Sequence, residues 1–204
     1  MFFEFFYPRG GWYRAATYVL HRIRRLPDPP HRISRGIAAG VFVCFTPFFG
    51  LHFLAAAILA FVLRGNILAA LLATFFGNPV TFPIIAELST TLGAKMLHQP
   101  VDVHLPQIMH GFGEALGDIR FNIRAIFTTD KAHWGGVMHF YKRIILPYTI
   151  GGIIPGIITA LTFYALSRPV ITAYQKRRIK KLKTRYANRM AERAAKADAA
   201  AKDQ

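Results

Sequence analysis

Fifty-one consecutive residues, Gly36 to Ala86, carry one formal charge, Arg64. Uncharged blocks of 28 and 22 residues lie on either side of it. About 20 apolar residues are enough to cross the hydrocarbon core of a bilayer, and a buried soluble helix rarely needs more. The stretch therefore reads as membrane-embedded. It is not smooth. Thr46-Pro47 with Gly50 interrupts the first block, and Gly77-Asn78-Pro79 with Pro83 interrupts the second. Proline lacks an N–H and clashes with the preceding turn, so a helix breaks at Pro47. Gly50 permits the tight backbone that follows. As one helix, Gly36–Leu63 would run about 42 Å against a core of about 30 Å. That excess predicts either a steep tilt or a helix–break–helix hairpin that turns back.

The second block starts after a turn signal, Arg64-Gly65-Asn66. Asn78 as N-cap with Pro79 at the first helical position predicts a fresh helix from Pro79, carrying Glu87 and ending near Leu97. The two Pro breaks are 32 residues apart, and each follows a Phe-rich step, a weak internal echo.

The fold class expected is all-α: a polytopic membrane protein with broken or re-entrant helices and a basic C-terminal helical tail. Residues 1–35 form a basic N-terminal segment, 36–170 the membrane domain and 171–204 the tail. Within 1–35, the aromatic run of residues 1–13 suits an interfacial anchor. It is too short for a signal-peptide core and lacks a small-residue cleavage site. A mitochondrial transit peptide would be Ser-rich, and this segment has only Ser34. Residues 14–26 predict a surface helix with arginines on one side, stopped by Leu26-Pro27-Asp28-Pro29-Pro30. Ser34 is the expected N-cap of the first embedded helix. Farther on, Leu105, Ile108, Met109, Phe112, Leu116 and Ile119 fall at helical spacing and predict an amphipathic helix within 98–143. The rest, Arg120 to Arg143, reads as a loop plus an approach helix. Ile144–Ser167 is a third apolar block of 24 residues, rich in Gly and Pro, expected to be a kinked span packed on the others. The tail from Ala173 is helix-forming and basic, and its low-complexity end is expected to fray.

Net charge is +16, and the excess sits at the ends. Residues 1–35 hold seven arginines against two acids, and residues 168–204 hold twelve Lys/Arg against three. Residues 87–143 hold six Lys/Arg against five acids. By the positive-inside rule both termini are cytoplasmic and 87–143 is external. An even number of crossings follows, so the overlong first block is the one that turns back, 67 to the mid-80s crosses, and 144–167 returns. The expected partners are the bilayer and anionic phospholipid head groups at the basic termini. A homo-oligomer is compatible with the chain. Nucleic acid is not expected, because no nucleic-acid motif accompanies the charge. The lone cysteine, Cys44, reads as inert packing.

Gly36-Ile37-Ala38-Ala39-Gly40-Val41-Phe42, Thr46-Pro47-Phe48-Phe49-Gly50-Leu51-His52, Arg64-Gly65-Asn66 and Gly77-Asn78-Pro79-Val80-Thr81-Phe82-Pro83 together closely resemble a family of small bacterial membrane proteins, DUF2062. The resemblance covers about residues 20–170, with Asn-Pro-Val-Thr-Phe-Pro its most specific part. It implies a bacterial inner-membrane location and no established activity, substrate or catalytic residue.

A helix that starts at mid-membrane aims unpaired N–H groups and a positive dipole end inward, an arrangement that binds anions. Transporters with broken helices place substrate sites there. Thr46, Pro47, Gly50, His52, Asn66, Gly77, Asn78, Pro79, Thr81 and Pro83 are therefore the candidate substrate-binding residues, with Glu87 as a proton carrier near one mouth. Against this, Pro and Gly are common in membrane helices, and Asn caps. The histidines at 98, 104 and 110, with Asp102, lack the i, i+4 spacing of a helical metal pair, and so do His133 and His139. No metal, cofactor or catalytic residue is expected, and no Gly-rich phosphate loop or nucleophile elbow is present. Two functions remain: a membrane scaffold or interaction protein, favoured here, and a transporter or lipid translocase for a small anion or phosphate-bearing lipid.

Overall fold

The computed structural model describes residues 11–48, 50–100, 105–127 and 131–202, without the side chains of 12, 105 and 194–202. The aromatic run at 1–10, together with Phe49, Asp102 and His104, lies outside the described residues. Every regular element among the described residues is helical. In chain order these are α1 (Gly11–Arg24), α2 (Pro30–Val43), α3 (His52–Val62), α4 (Ile67–Ala73) and a 3-10 turn (Thr74–Phe76). Then come α5 (Thr81–Met96), α6 (Leu105–Ala125), α7 (Gly135–Phe140), a π turn (Tyr141–Ile145) and α8 (Leu146–Lys202).

α8 is the spine, with α2 and α5 packed along it. Both run antiparallel to it. Gly93 of α5 meets Pro147 while Ser89 meets Gly151, and Phe45 after α2 meets Gly152 while Asp28 before it meets Gln175. Helix backbones approach this closely only where side chains are missing. A Cβ added at Gly93 would overlap the Pro147 carbonyl, and one at Gly151 would overlap Ser89. α2 is buried nearly all round, and its Ile33, Ile37 and Val41 join Ile23 of α1, Ala69 of α4 and Ile171 of α8 in one core.

The first apolar block folds as a helical hairpin. α2 and α3 have 14 and 11 residues, about 21 and 17 Å, each short of a ~30 Å core. The chain turns at 44–51 and comes back to where it left. Arg35 Nη1 donates to the Leu63 carbonyl at 3.0 Å, and Asn66 N–H donates to the Arg32 carbonyl at 2.8 Å. An alanine seam of Ala39, Ala56, Ala60 and Ala70 joins α2, α3 and α4. Arg64 closes α3 at φ 52°, with Gly65 N–H donating to the Ala60 carbonyl, the i→i−5 bond of a left-handed helix stop.

The start of α2 differs from the sequence reading. This helix, the first of the apolar block, starts at Pro30, not after a Ser34 cap. Pro29 is extended at ψ 148° and Pro30 already has helical φ, so the helix nucleates there without a side-chain cap. Ser34 lies in the second turn, fully buried.

Among the described residues one helix, Gly135–Arg193, is long and apolar enough to cross a membrane. Ile67–Phe76 and Thr81–Met96 reach that length only together, and they meet at 86°. The second block is thus bent, not a straight crossing. α8 contains Pro155 and Pro169 without interruption and stays helical to Lys202, past the point where fraying was expected. Its Ala, Lys and Arg content favours helix even where nothing packs on it.

α6 extends six residues past the predicted stripe, to Ala125. It buries Ile108, Ala115 and Asn122, while Met109, Leu116 and Ile119 are exposed. The stripe is therefore shared between a packed edge against α7 and an open one.

Candidate functional site

The two breaks lie against each other. The Cys44 thiol donates to the Thr74 carbonyl at 3.5 Å, and a Cβ at Gly77 would stand 3.0 Å from Cys44 Sγ. Phe76 links them to the spine: it stacks on Phe45 at 6.2 Å and meets Phe163 edge-on at 5.2 Å. The Phe-rich steps before the two prolines are the residues that hold the breaks together. Tyr148, fully buried on α8, points its hydroxyl at the Cys44 carbonyl, 3.5 Å away. A pocket of about 340 Å3 opens beside them, bounded by Phe53, Thr74, Phe75, Gly77, Asn78 and Pro79.

The side chains of Asn78 and Thr81 have local partners at the second break. Asn78 Oδ1 accepts from the N–H groups of Val80 at 2.9 Å and Thr81 at 3.1 Å. Asn78 N–H donates back to Thr81 Oγ1 at 3.2 Å, and the Thr81 hydroxyl donates to the Phe76 carbonyl. The Asn78 carbonyl accepts from Phe82 N–H at 2.8 Å, the first helical bond. This reciprocal Asn/Thr pair is a capping box, built by an Asn-Pro-x-Thr spacing. Pro79 and Pro83 sit in the opening turn, where a missing N–H costs least. Asn78 thus caps the turn that leads into α5, but the regular helix begins at Thr81, two residues after the Pro79 start that the sequence predicts, and the N–H groups of Val80 and Thr81 that would draw an anion are occupied.

At the first break, Thr46 Oγ1 donates to the Val43 carbonyl at 2.6 Å and Pro47 is buried. Gly50 takes φ +78° with open space around it. His52 is half-buried beside the Thr46 backbone, at hydrogen-bonding range. Phe53, its neighbour, is the residue that reaches the pocket.

Two candidates are placed elsewhere. Asn66 caps the opposite end of α4, accepting from Ala69 N–H at 2.6 Å and donating to Asp28. The ten residues of α4 and its 3-10 turn put it about 15 Å from the break. Glu87 is on the exposed side of α5, about 9 Å along the helix from Thr81. No group of three His, Cys, Asp or Glu able to hold a metal is found among the described residues. His110 and His139 both approach Glu114, at 3.6 and 4.0 Å.

Two polar clusters were not legible in the sequence. Asp28, read only as part of a helix stop, binds Asn66 and Arg32 through its carboxylate and Gln175 through its carbonyl. On α6, Asp118 Oδ2 accepts from the N–H groups of Gly136 at 2.6 Å and Val137 at 3.2 Å, and Oδ1 lies 3.3 Å from His133 Nδ1. Asn122 makes a reciprocal pair with the His133 backbone, both bonds 2.7 Å. Desolvation pushes the Asp118 carboxyl up, but the Val137 and Gly136 N–H groups and His133 outweigh it and hold it below its ordinary value. The spacing carried no signal for either cluster, because the partners are brought together by packing.

A family model described as an uncharacterized protein conserved in bacteria, DUF2062, matches residues 13–180. Neither the curated proteins nor the solved structures contain a match.

Proposed function

We propose, for a chain that belongs to the DUF2062 family of uncharacterised bacterial proteins, that it is an integral inner-membrane scaffold whose basic ends engage the anionic cytoplasmic surface. The observation that carries this reading is α8. It runs without a break from the apolar stretch 146–167 into a segment with nine Lys/Arg and no acid between Arg168 and Arg189. At 57 residues it is about 85 Å long, far more than the bilayer needs. Large apolar side chains on the outside agree with a lipid-facing surface: Phe53, Ile58 and Phe61 on α3, and Ile158, Leu161 and Leu166 on α8 are all more than half exposed. Soluble surfaces rarely carry contiguous apolar area of this kind.

In this reading α2–α3 is a re-entrant hairpin. It enters beside the basic N-terminal end and returns to it, with Arg32, Arg35 and Arg64 around one cleft. α4 and α5 together make one bent crossing, α8 makes the return, and both termini are cytoplasmic. Phe45, where the hairpin begins to turn, meets Gly152, eight residues or about 12 Å into the apolar run Ile144–Ser167, which supports a tip that stops partway. The satisfied capping box at Asn78 supports a structural purpose for the breaks.

The adjacency of the two breaks, with a pocket at the second that Phe53 reaches from beside the first, favours a second reading, translocation of a small anion or phosphate-bearing lipid. Deleting 174–204 separates the two. The scaffold reading expects loss of binding to vesicles containing phosphatidylglycerol with insertion intact. Translocation expects little effect from that deletion and loss of transport from Asn78→Ala or Pro79→Ala. A full-length chain that stays monodisperse in buffer without detergent would remove both.

A further inference from the structure

We infer that the cleft between α1 and α8 is a discrete site for one anionic phospholipid, with an acyl chain in its apolar half and the phosphate in its cationic half. The inference rests on the membrane reading above and replaces diffuse attraction at the basic ends with a built site. The apolar half is a cavity of about 370 Å3 beneath α1, inside the range of about 300–1,000 Å3 usual for ligand pockets. Val19, Leu20, Ile23, Leu72, Phe163 and Ile171 are among its walls. Arg24 is the charged residue that lines it. Its Nε is buried and has no hydrogen-bond partner among the described residues. A guanidinium N–H removed from water calls for an acceptor.

The cationic half begins at the next residue. Arg25, Tyr174, Arg178, Lys181 and Arg185 surround a cleft of about 470 Å3, and among the described residues no carboxylate lines it. Tyr174 is one helical turn beyond Ile171, so the two halves follow each other along α8. Gln175 Nε2 donates to the Asp28 carbonyl at 2.9 Å and holds the linker between α1 and α2 against α8. The Asp28 carboxylate faces Arg32 and Asn66, away from being a counter-charge here. Among the described residues four cations share this cleft with no acid in its wall, and their repulsion is relieved by an anion. Arginine's paired N–H groups suit phosphate oxygens. The order, apolar toward the bilayer and then cationic toward the basic end, is the order of a phospholipid from chain to head group. A free phosphate leaves the apolar half unexplained, and a neutral lipid leaves the cations unexplained.

The test uses full-length protein in dodecyl maltoside, offered cardiolipin or phosphatidylcholine and examined by native mass spectrometry after detergent exchange. One cardiolipin per chain is expected to be retained and phosphatidylcholine lost. Arg25→Ala/Arg178→Ala is expected to weaken retention about tenfold or more. Ala16→Trp, from an exposed position at the cavity wall, is expected to do the same by filling the apolar half. Ser167→Phe fills it from α8 and serves if the first variant does not fold. Cardiolipin held equally by both filled variants, or phosphatidylcholine held as well as cardiolipin, overturns the site. So does displacement of cardiolipin by millimolar inorganic phosphate, which would assign the cations to a free anion. A chain that needs detergent yet retains no lipid sinks the site alone, whereas a chain soluble without detergent sinks the membrane reading beneath it.

Discussion

Asn78→Ala separates a capping role from a ligand role at the second break. The substitution removes the acceptor for two N–H groups, those of Val80 and Thr81. Loss of an N-cap costs about 1 kcal/mol, with a range of about 0.5–2. The break is half-buried and, in the proposed membrane, away from bulk water, where each donor left unpaired costs about 1–3 kcal/mol. Local rearrangement lets one of the two find another partner, so the expected destabilisation is about 2–4 kcal/mol. Asn78→Ser keeps a short acceptor and should recover at least half of it. The assay is unfolding of detergent-solubilised protein by SDS titration, followed by far-UV circular dichroism. Thr81→Val removes the reciprocal acceptor, and the double variant should show a coupling of about 0.5–3 kcal/mol with Asn78→Ala. An Asn78→Ala protein within about 0.5 kcal/mol of the parent, or a Ser variant no better than the Ala one, would refute the capping argument. The side chain would then be free to serve a ligand.

Besides the tail deletion and the lipid-retention experiment above, two further outcomes are expected. Gly151→Leu should separate α5 from α8, because even a Cβ there overlaps Ser89 and Gly93. Overpacking of this kind costs about 1–3 kcal/mol, and the same titration should report it, while Gly113→Leu, in open space, should change little. Asp118 gives a pH dependence of known sign. Its carboxyl titrates below its unfolded value of 3.8, so its contribution to joining α6 and α7 is complete above that pH and is lost as pH falls through the lower folded value. Protection of the Gly136 and Val137 amides, taken as exchange relative to the intrinsic rate at each pH, should fall over that acid range; Asp118→Asn should abolish the acid step.

Much of the local structure was readable from composition and turn chemistry. Pro47 and Asn78-Pro79 ended or began helices because a missing N–H and a short amide side chain act within a few residues of themselves. Charge asymmetry separated the basic ends from the neutral segment between them for the same reason: it needs no partner. Asn66 shows the limit. Its chemistry resembles that of Asn78, and both were grouped as ligands, but it caps the far end of α4 and ties Asp28.

The sequence by itself determined that this chain is helical, that its middle is apolar and interrupted, and that its ends are cationic, because each property is set by residues close together along the chain. Only the tertiary structure decided that the hairpin returns to Arg32 and Arg35, and that the two breaks meet at Cys44 and Gly77. It also decided that Arg25 stands across a cleft from Arg178. Those pairings depend on which glycines let backbones touch. Close approach is a property of two surfaces at once, and a single strand of residue names holds only one of them.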